Sequence, residues 1–328
     1  MSYPLIIIGA GASHDYSTFS PKRPPITKEL VDASHLDSTL IKKYPLVSHL
    51  LSEVESDVNI HNKGFEEALF AIKKRSGHIS EIQSQLVALQ FYLQELFETI
   101  SVGCQNINNY KILQQRITTY SGGKACVVSF NYDSLFEDSI EGGHFEKMND
   151  YVGGNLKLIK LHGSHDWVYV NHRDAMPLFS DNYTDGYDLA TKNPKFLESF
   201  YSKGFQPYHK EEITGQGFFE FPALALPMPF KEDPVICPQL HINILQKEMA
   251  LIDRVLIIGW RAADNYLLDL IKNHVNPDVQ LMVVSKDKGS ADDIVKVIKD
   301  TTNLSGFGVG GGFGAFIGDD RCHNFFSS

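Results

Sequence analysis

Apolar positions in this chain follow two patterns. Short continuous runs, rich in branched residues, occur at Leu5-Ile-Ile-Ile8, Cys126-Val-Val-Ser-Phe130, Leu156-Lys-Leu-Ile-Lys-Leu161, Arg254-Val-Leu-Ile-Ile258 and Gln280-Leu-Met-Val-Val284. Short apolar runs without strict alternation predict strands buried on both faces, as in a parallel sheet. Elsewhere the spacing is helical. Phe65–Ile72 and Ile82–Ile100 place apolar residues three and four apart, and Thr27-Lys-Glu-Leu30 looks like a helix start. Helices are also predicted over Asn265–His274 and Ala291–Asp300. Strands alternating with helices predict an α/β protein built on a parallel sheet.

Two stretches interrupt that alternation. Residues 27–115 are expected to form a helical insertion or cap. Residues 170–235, rich in Tyr, Phe, Asn, Asp and Pro, are expected to form loops and small elements wrapped on the core. Gln280–Val284 is then the last strand of a domain spanning residues 1–300. Residues 301–328 form a tail whose glycine-dense part, Ser305–Gly314, reads as loop or disorder. No internal repeat is evident.

Composition narrows the class. Of 328 residues, 43% are hydrophobic and 21% charged, which argues against wholesale disorder. The net charge of -10 carries no global basic footprint, so no direct nucleic-acid binding is expected. No run approaches the roughly 18 apolar residues of a membrane span, and the apolar run at the N-terminus is too short for a signal peptide. Cys104, Cys126, Cys237 and Cys322 are scattered with no CxxC, which predicts no zinc site and fits a reducing, cytoplasmic setting.

The candidate chemistry gathers at strand ends, where open α/β sheets bind ligands. After the first strand comes Gly9-Ala10-Gly11-Ala12-Ser13. Small residues there let backbone N–H groups approach a pyrophosphate, although a tight turn also needs glycine. Asn131 and Asp133 follow the second strand. They could converge on one ligand, or form an Asx turn and a helix cap. His162-Gly163 follows the third strand and offers a general base, while His165 reads as surface or loop and Trp167 as packing. Gly259, Asp264 and Ser285 follow the later strands; Asp264 reads equally as a helix N-cap, and Ser285 as a loop residue.

Taken in order, Gly9-Ala-Gly-Ala-Ser13, Asn131-Tyr-Asp133, Lys160-Leu-His-Gly163 and Gly259 with Asp264 resemble the motifs of the sirtuin-like family of NAD-consuming proteins. The resemblance is to the prokaryotic branch that lacks the zinc module and is common in antiphage defence. It implies a Rossmann-like parallel sheet with a helical cap or insertion, and NAD as substrate. It further implies that residues 9–13 contact the cofactor phosphates, that Asn131 and Asp133 lie by the nicotinamide ribose and carboxamide, and that His162 is the catalytic base. Gly163 belongs to the same motif, the strand ends at Gly259 and Ser285 line the adenosine side, and Asp264 counts among the cofactor-binding residues. The paired CxxC motifs of sirtuin deacylases are absent, and their phenylalanine–arginine pair is not evident, with Arg23 a loose candidate.

Chemically, cleaving the nicotinamide–ribose bond expels a neutral base, so no strong general acid is required. The site must hold the ribose, shield an oxocarbenium-like centre and steer water to it, which positioned polar groups can do. The leading expectation is an NAD+ nucleosidase yielding nicotinamide and ADP-ribose, linear or cyclised, active in antiviral defence. The resemblance implies control by a partner ATPase or Argonaute-like protein, or by a homo-oligomer. Three alternatives remain: an NAD-dependent protein deacylase, a non-catalytic nucleotide-binding subunit, and a dehydrogenase, which would require the full GxGxxG.

Overall fold

A computed structural model describes residues 3–16, 23–30, 38–61, 64–76, 79–102, 108–172, 183–195, 206–214, 217–228 and 235–327. Cys104, and the parts of the 170–235 stretch between those ranges, lie outside the described residues. The strands among them are β1 (Pro4–Ile8), β2 (Ala125–Ser129), β3 (Leu156–Lys160), β4 (Gly163–His172), β5 (Tyr208–His209), β6 (Phe218–Leu224), β7 (Arg254–Ile258), β8 (Gln280–Val284) and β9 (Gly306–Val309). The chain divides into two compact units. One comprises Met1–Pro24, Ile100–His162 and Cys237–Ser328, the other Pro25–Thr99 and Gly163–Ile236.

The first unit holds a six-stranded sheet in the order β3-β2-β1-β7-β8-β9, with every neighbouring pair parallel. Counted within this unit alone the order is 3-2-1-4-5-6, that of the doubly wound dinucleotide-binding folds. The protein is thus Rossmann-like, as expected. All five residues of β1, β2 and β7 are buried, which is why these strands read as unbroken apolar runs. Ile6 lies opposite Val127 on one side and Leu256 on the other. The helix Gln239–Met249 packs on β2 and β3, and the helix Lys288–Thr302 packs on β8 and β9. The latter starts before the expected Ala291 because the Asp287 carboxylate accepts the Ser290 N–H at 2.8 Å and caps it.

The second unit joins the two expected insertions. The helices Pro45–His61 and Phe65–Ser76, and most of Ser80–Val102, belong with an antiparallel sheet in the order β5-β4-β6. Side-chain amides tie helix to sheet: Gln90 donates to the Leu224 carbonyl at 2.9 Å and Gln94 to that of Trp167 at 3.2 Å. Thr27–Leu30 is a short 3-10 turn. Residues 100–115, expected in the insertion, fall in the first unit. The expected loop around His165 is strand β4, with His165 8% exposed and Trp167 fully buried.

The C-terminal segment corrects the expectation of a loop or disordered tail. Gly306–Val309 is β9, the sixth strand of the sheet, so β8 is not the last. Gly312–Ile317 and Asp320–Ser327 are helices. The glycines serve close packing here. A Cβ on Gly308 would lie 2.6 Å from the Asp292 carboxylate and 2.8 Å from the Ala291 methyl, and one on Gly306 would strike the Leu281 carbonyl. Composition alone reads such glycines as flexibility; their neighbours show that they admit a strand where side chains would collide. The final helix is clamped by Arg254, whose guanidinium donates to the Phe325 carbonyl and stacks over its ring. Phe325 is fully buried. Phe325→Ala should therefore cost about 3–5 kcal/mol, as emptied aromatic sites in cores do. Urea unfolding measures it, and a wild-type midpoint would restore the expectation of a disordered tail.

Candidate functional site

The strand order reverses between β1 and β7, and open α/β sheets bind ligands beyond the strand ends at that point. Both strands stop at a glycine. Gly9 N–H donates to the Ile258 carbonyl at 3.0 Å and Gly11 N–H to the Gly259 carbonyl at 3.1 Å. A Cβ on Gly9 would lie 2.5 Å from the Gly259 oxygen, and one on Gly11 3.0 Å from the Gly259 Cα. Gly259 itself has φ +65°, left-handed backbone that an L side chain rarely adopts. The two turns interlock backbone against backbone. The group that excludes a side chain at Gly11 is Gly259, so the contact between the two turns accounts for glycine at that position. Ala12 N–H donates back to the Gly9 carbonyl at 2.9 Å, and Ala10 is the exposed position of the turn.

Ser13 points into the protein. Its hydroxyl donates to Asp133 Oδ1 at 3.1 Å, accepts from Asn131 Nδ2 at 2.8 Å, and lies 2.8 Å from the Tyr110 hydroxyl. A serine has one proton to give, so Tyr110 is the donor in that last contact. The Ser13 hydroxyl is then saturated. Asn131 Nδ2 also donates to the Gly9 carbonyl at 3.2 Å, which ties the β2 turn to the β1 turn. Asn131 is 5% exposed, and its Oδ1 is a buried acceptor with no partner.

Asp133 is buried as well, and burial pushes its carboxyl above the usual carboxylate range, against the pull of Lys160 and the Ser13 and Leu135 hydrogen bonds. Below it lies a fully buried ammonium. Lys160 Nζ donates to the Asp133 carbonyl at 2.7 Å and to Glu137 Oε1 at 2.6 Å, with Glu137 5% exposed. Sequence reasoning misses both Tyr110 and the Lys160–Glu137 pair. Tyr110 sits on the helix Asn109–Ser121, 97 positions along the chain from Ser13, and no local pattern marks it. Lys160 offers one signal, a lysine inside an apolar strand run.

His162 follows β3. Its Nε2 is 3.1 Å from Asp264 Oδ2, and its ring meets Phe130 edge-on at 4.7 Å. Phe130 in turn stacks on Trp260 at 5.1 Å, with the rings 4° from parallel. Asp264 is the helix N-cap that the sequence suggests: its Oδ1 accepts the Leu267 N–H at 2.9 Å. The remaining site residues do backbone work. Ser285 N–H donates to Val309 and its carbonyl accepts from Gly312 at 2.9 Å. Gly163 opens β4 in the second unit, paired with Leu224. Among the described residues no group of three or more His, Cys, Asp or Glu could hold a metal ion. Cys126 and Cys237 are buried thiols whose pKa burial raises.

No family model matches the sequence, and no curated protein does. Solved structures are similar at low identity. A structure concerned with the mechanism and regulation of Sir2 enzymes is 16% identical, with 96% of this chain and 89% of that one covered and a TM-score of 0.42. A mutant Sir2 homologue in complex with ADP-ribose is 11% identical, with 99% and 91% covered and a TM-score of 0.44. A Sir2 homologue in complex with NAD is 11% identical, with 92% and 90% covered and a TM-score of 0.37.

The buried charges generate two predictions. Lys160→Ala strands the Glu137 carboxylate without its partner and should destabilise by about 3–5 kcal/mol, whereas replacing both residues by apolar ones of similar volume should recover most of that loss. Denaturant unfolding of the single and double variants checks this, and equal losses in the two would contradict it. Asp133 gives a pH dependence. Because its pKa is raised on folding, its contribution is fully present below the unfolded value of about 3.9 and is lost as pH rises through the folded value. Asp133→Asn removes that loss, so the stability of the variant relative to wild type should climb with pH above about 4. A flat difference across pH 3–8 would show that Asp133 titrates normally.

Proposed function

We propose that the protein is an NAD glycohydrolase of the sirtuin-like kind, releasing nicotinamide and leaving ADP-ribose or its cyclised form. The observation that carries this reading is the pairing of His162 with a carboxylate at the strand ends, close to the switch point of a dinucleotide-type sheet. The orphaned Asn131 Oδ1 fits a ribose hydroxyl, because it is a buried acceptor that lacks a donor. In this reading Asn131 orients the ribose through that oxygen, while Ser13 and Gly9 hold its amide. Asp133 and Lys160 fix the turn that carries Asn131. His162 takes the proton of the attacking water. The stacked Phe130 and Trp260 form an apolar wall against which the His162 ring is set. The pyrophosphate approaches the β1 turn at its exposed position, Ala10.

Nicotinamide leaves as a neutral molecule from a pyridinium, so the residues present need supply no strong acid. The absence of paired CxxC motifs speaks against protein deacylation. The biological role we assign is NAD depletion in prokaryotic antiphage defence, in the cytoplasm, under control of a partner ATPase or Argonaute-like protein or of self-assembly. The test is incubation with NAD while following nicotinamide release, with and without an acylated peptide. His162→Ala should lower the rate about a hundredfold or more with the fold retained by circular dichroism. Wild-type turnover in that variant removes His162 as the base, and release only with the peptide restores the deacylase.

A further inference from the structure

Two histidine–aspartate pairs stand at hydrogen-bond distance. In the second unit His209 Nε2 lies 3.0 Å from Asp166 Oδ2, and its Nδ1 accepts the Glu211 N–H at 3.2 Å. Both nitrogens are committed, and the side chain caps a 3-10 turn. That histidine is structural. In the first unit His162 Nε2 meets Asp264 Oδ2 at 3.1 Å, and the His162 side chain keeps 17% of its surface exposed.

Asp264 divides its two oxygens. Oδ1 takes the Leu267 N–H at the start of the helix Asn265–His274, and Oδ2 takes the histidine. A carboxylate in that position is anchored by the helix it caps, and the positive end of the helix dipole favours its ionised form. An ionised carboxylate at 3.1 Å requires a proton on His162 Nε2. The neutral imidazole then carries its lone pair on Nδ1. The Phe130 ring, edge-on at 4.7 Å, limits rotation of the imidazole.

We propose that Asp264 is a positioning residue: through Oδ2 it holds His162 in the Nε2–H tautomer, which sets the basic nitrogen of the ring at Nδ1. This gives Asp264 a duty toward His162 in place of direct contact with NAD. The proposal rests on the reading of His162 as the base, but the tautomer itself does not depend on that reading.

The cap allows the two roles of Asp264 to be separated. Asparagine and serine cap helices about as well as aspartate, and neither supplies a carboxylate. Asp264→Asn and Asp264→Ser should melt close to wild type, whereas Asp264→Ala should melt lower. In both cap-competent variants kcat for nicotinamide release should fall about 10–100-fold, the scale seen when the partner that orients a metal-ligating histidine is removed, with KM little changed. Nitrogen-15 NMR of His162 should show the Nε2–H tautomer in the wild type and its loss in the variants. A wild-type spectrum with the proton on Nδ1 overturns the proposal, as does wild-type kcat in a folded asparagine or serine variant. If the wild-type protein releases no nicotinamide, the glycohydrolase reading fails, and the NMR spectra still decide the role of Asp264.

Discussion

The site depends on a backbone contact. The turns that end β1 and β7 press together, with Gly9 and Gly11 against Gly259, so closely that a methyl group on Gly9 would stand 2.5 Å from a carbonyl oxygen. Crosswise hydrogen bonds from Gly9 to Ile258 and from Gly11 to Gly259 lock the register of the two turns. The residues after each glycine are then placed with little freedom. On one side Ser13 is set under Asn131, Asp133 and Tyr110. On the other Trp260 is laid flat on Phe130, and the chain runs on to Asp264 at the head of its helix.

Polar burial is the second constraint. The unit buries Ser13, Asn131, Asp133, Glu137 and Lys160 close to its strand ends. Each such group loses hydration and must recover it from a partner. Ser13 does so completely, with one hydrogen bond given and two received. Asp133 does so in part, and its raised pKa reflects that imbalance. Asn131 Oδ1 recovers nothing. The incompletely satisfied groups sit beside the saturated ones. That is the arrangement expected where a scaffold is held rigid and a few polar atoms are left for something else to meet.

The C-terminal segment completes the first unit. β9 extends the parallel sheet beyond β8, and the turn after it takes the Ser285 carbonyl through Gly312. The next helix begins against Asp15, whose carboxylate accepts the Gly314 N–H at 3.0 Å, so the end of the chain packs against the residues just after the β1 turn. Arg254, at the start of β7, holds the last helix by its Phe325 carbonyl.

Five of the six parallel strands were legible in the sequence, because strands buried on both faces are mostly apolar runs that do not alternate. The strand-end positions of Gly9, Asn131, His162 and Gly259 were legible for the same reason: each marks where an apolar run stops. The Asp264 cap was legible from its place before a helix. The sixth strand was not, since Gly306 and Gly308 are explained only by the Leu281 carbonyl and the Ala291 methyl that crowd them. Tyr110 and the Lys160–Glu137 pair were hidden because their partners are distant in the chain. Sequence by itself determined five strands of the parallel sheet and where their polar ends fall, through periodicity and local turn chemistry. Only the tertiary structure decided which of those ends meet: that Ser13 joins Asn131 and Asp133, that Gly11 faces Gly259, and that His162 faces Asp264. Such pairings come from strand order and crossover packing, which no local window of residues encodes.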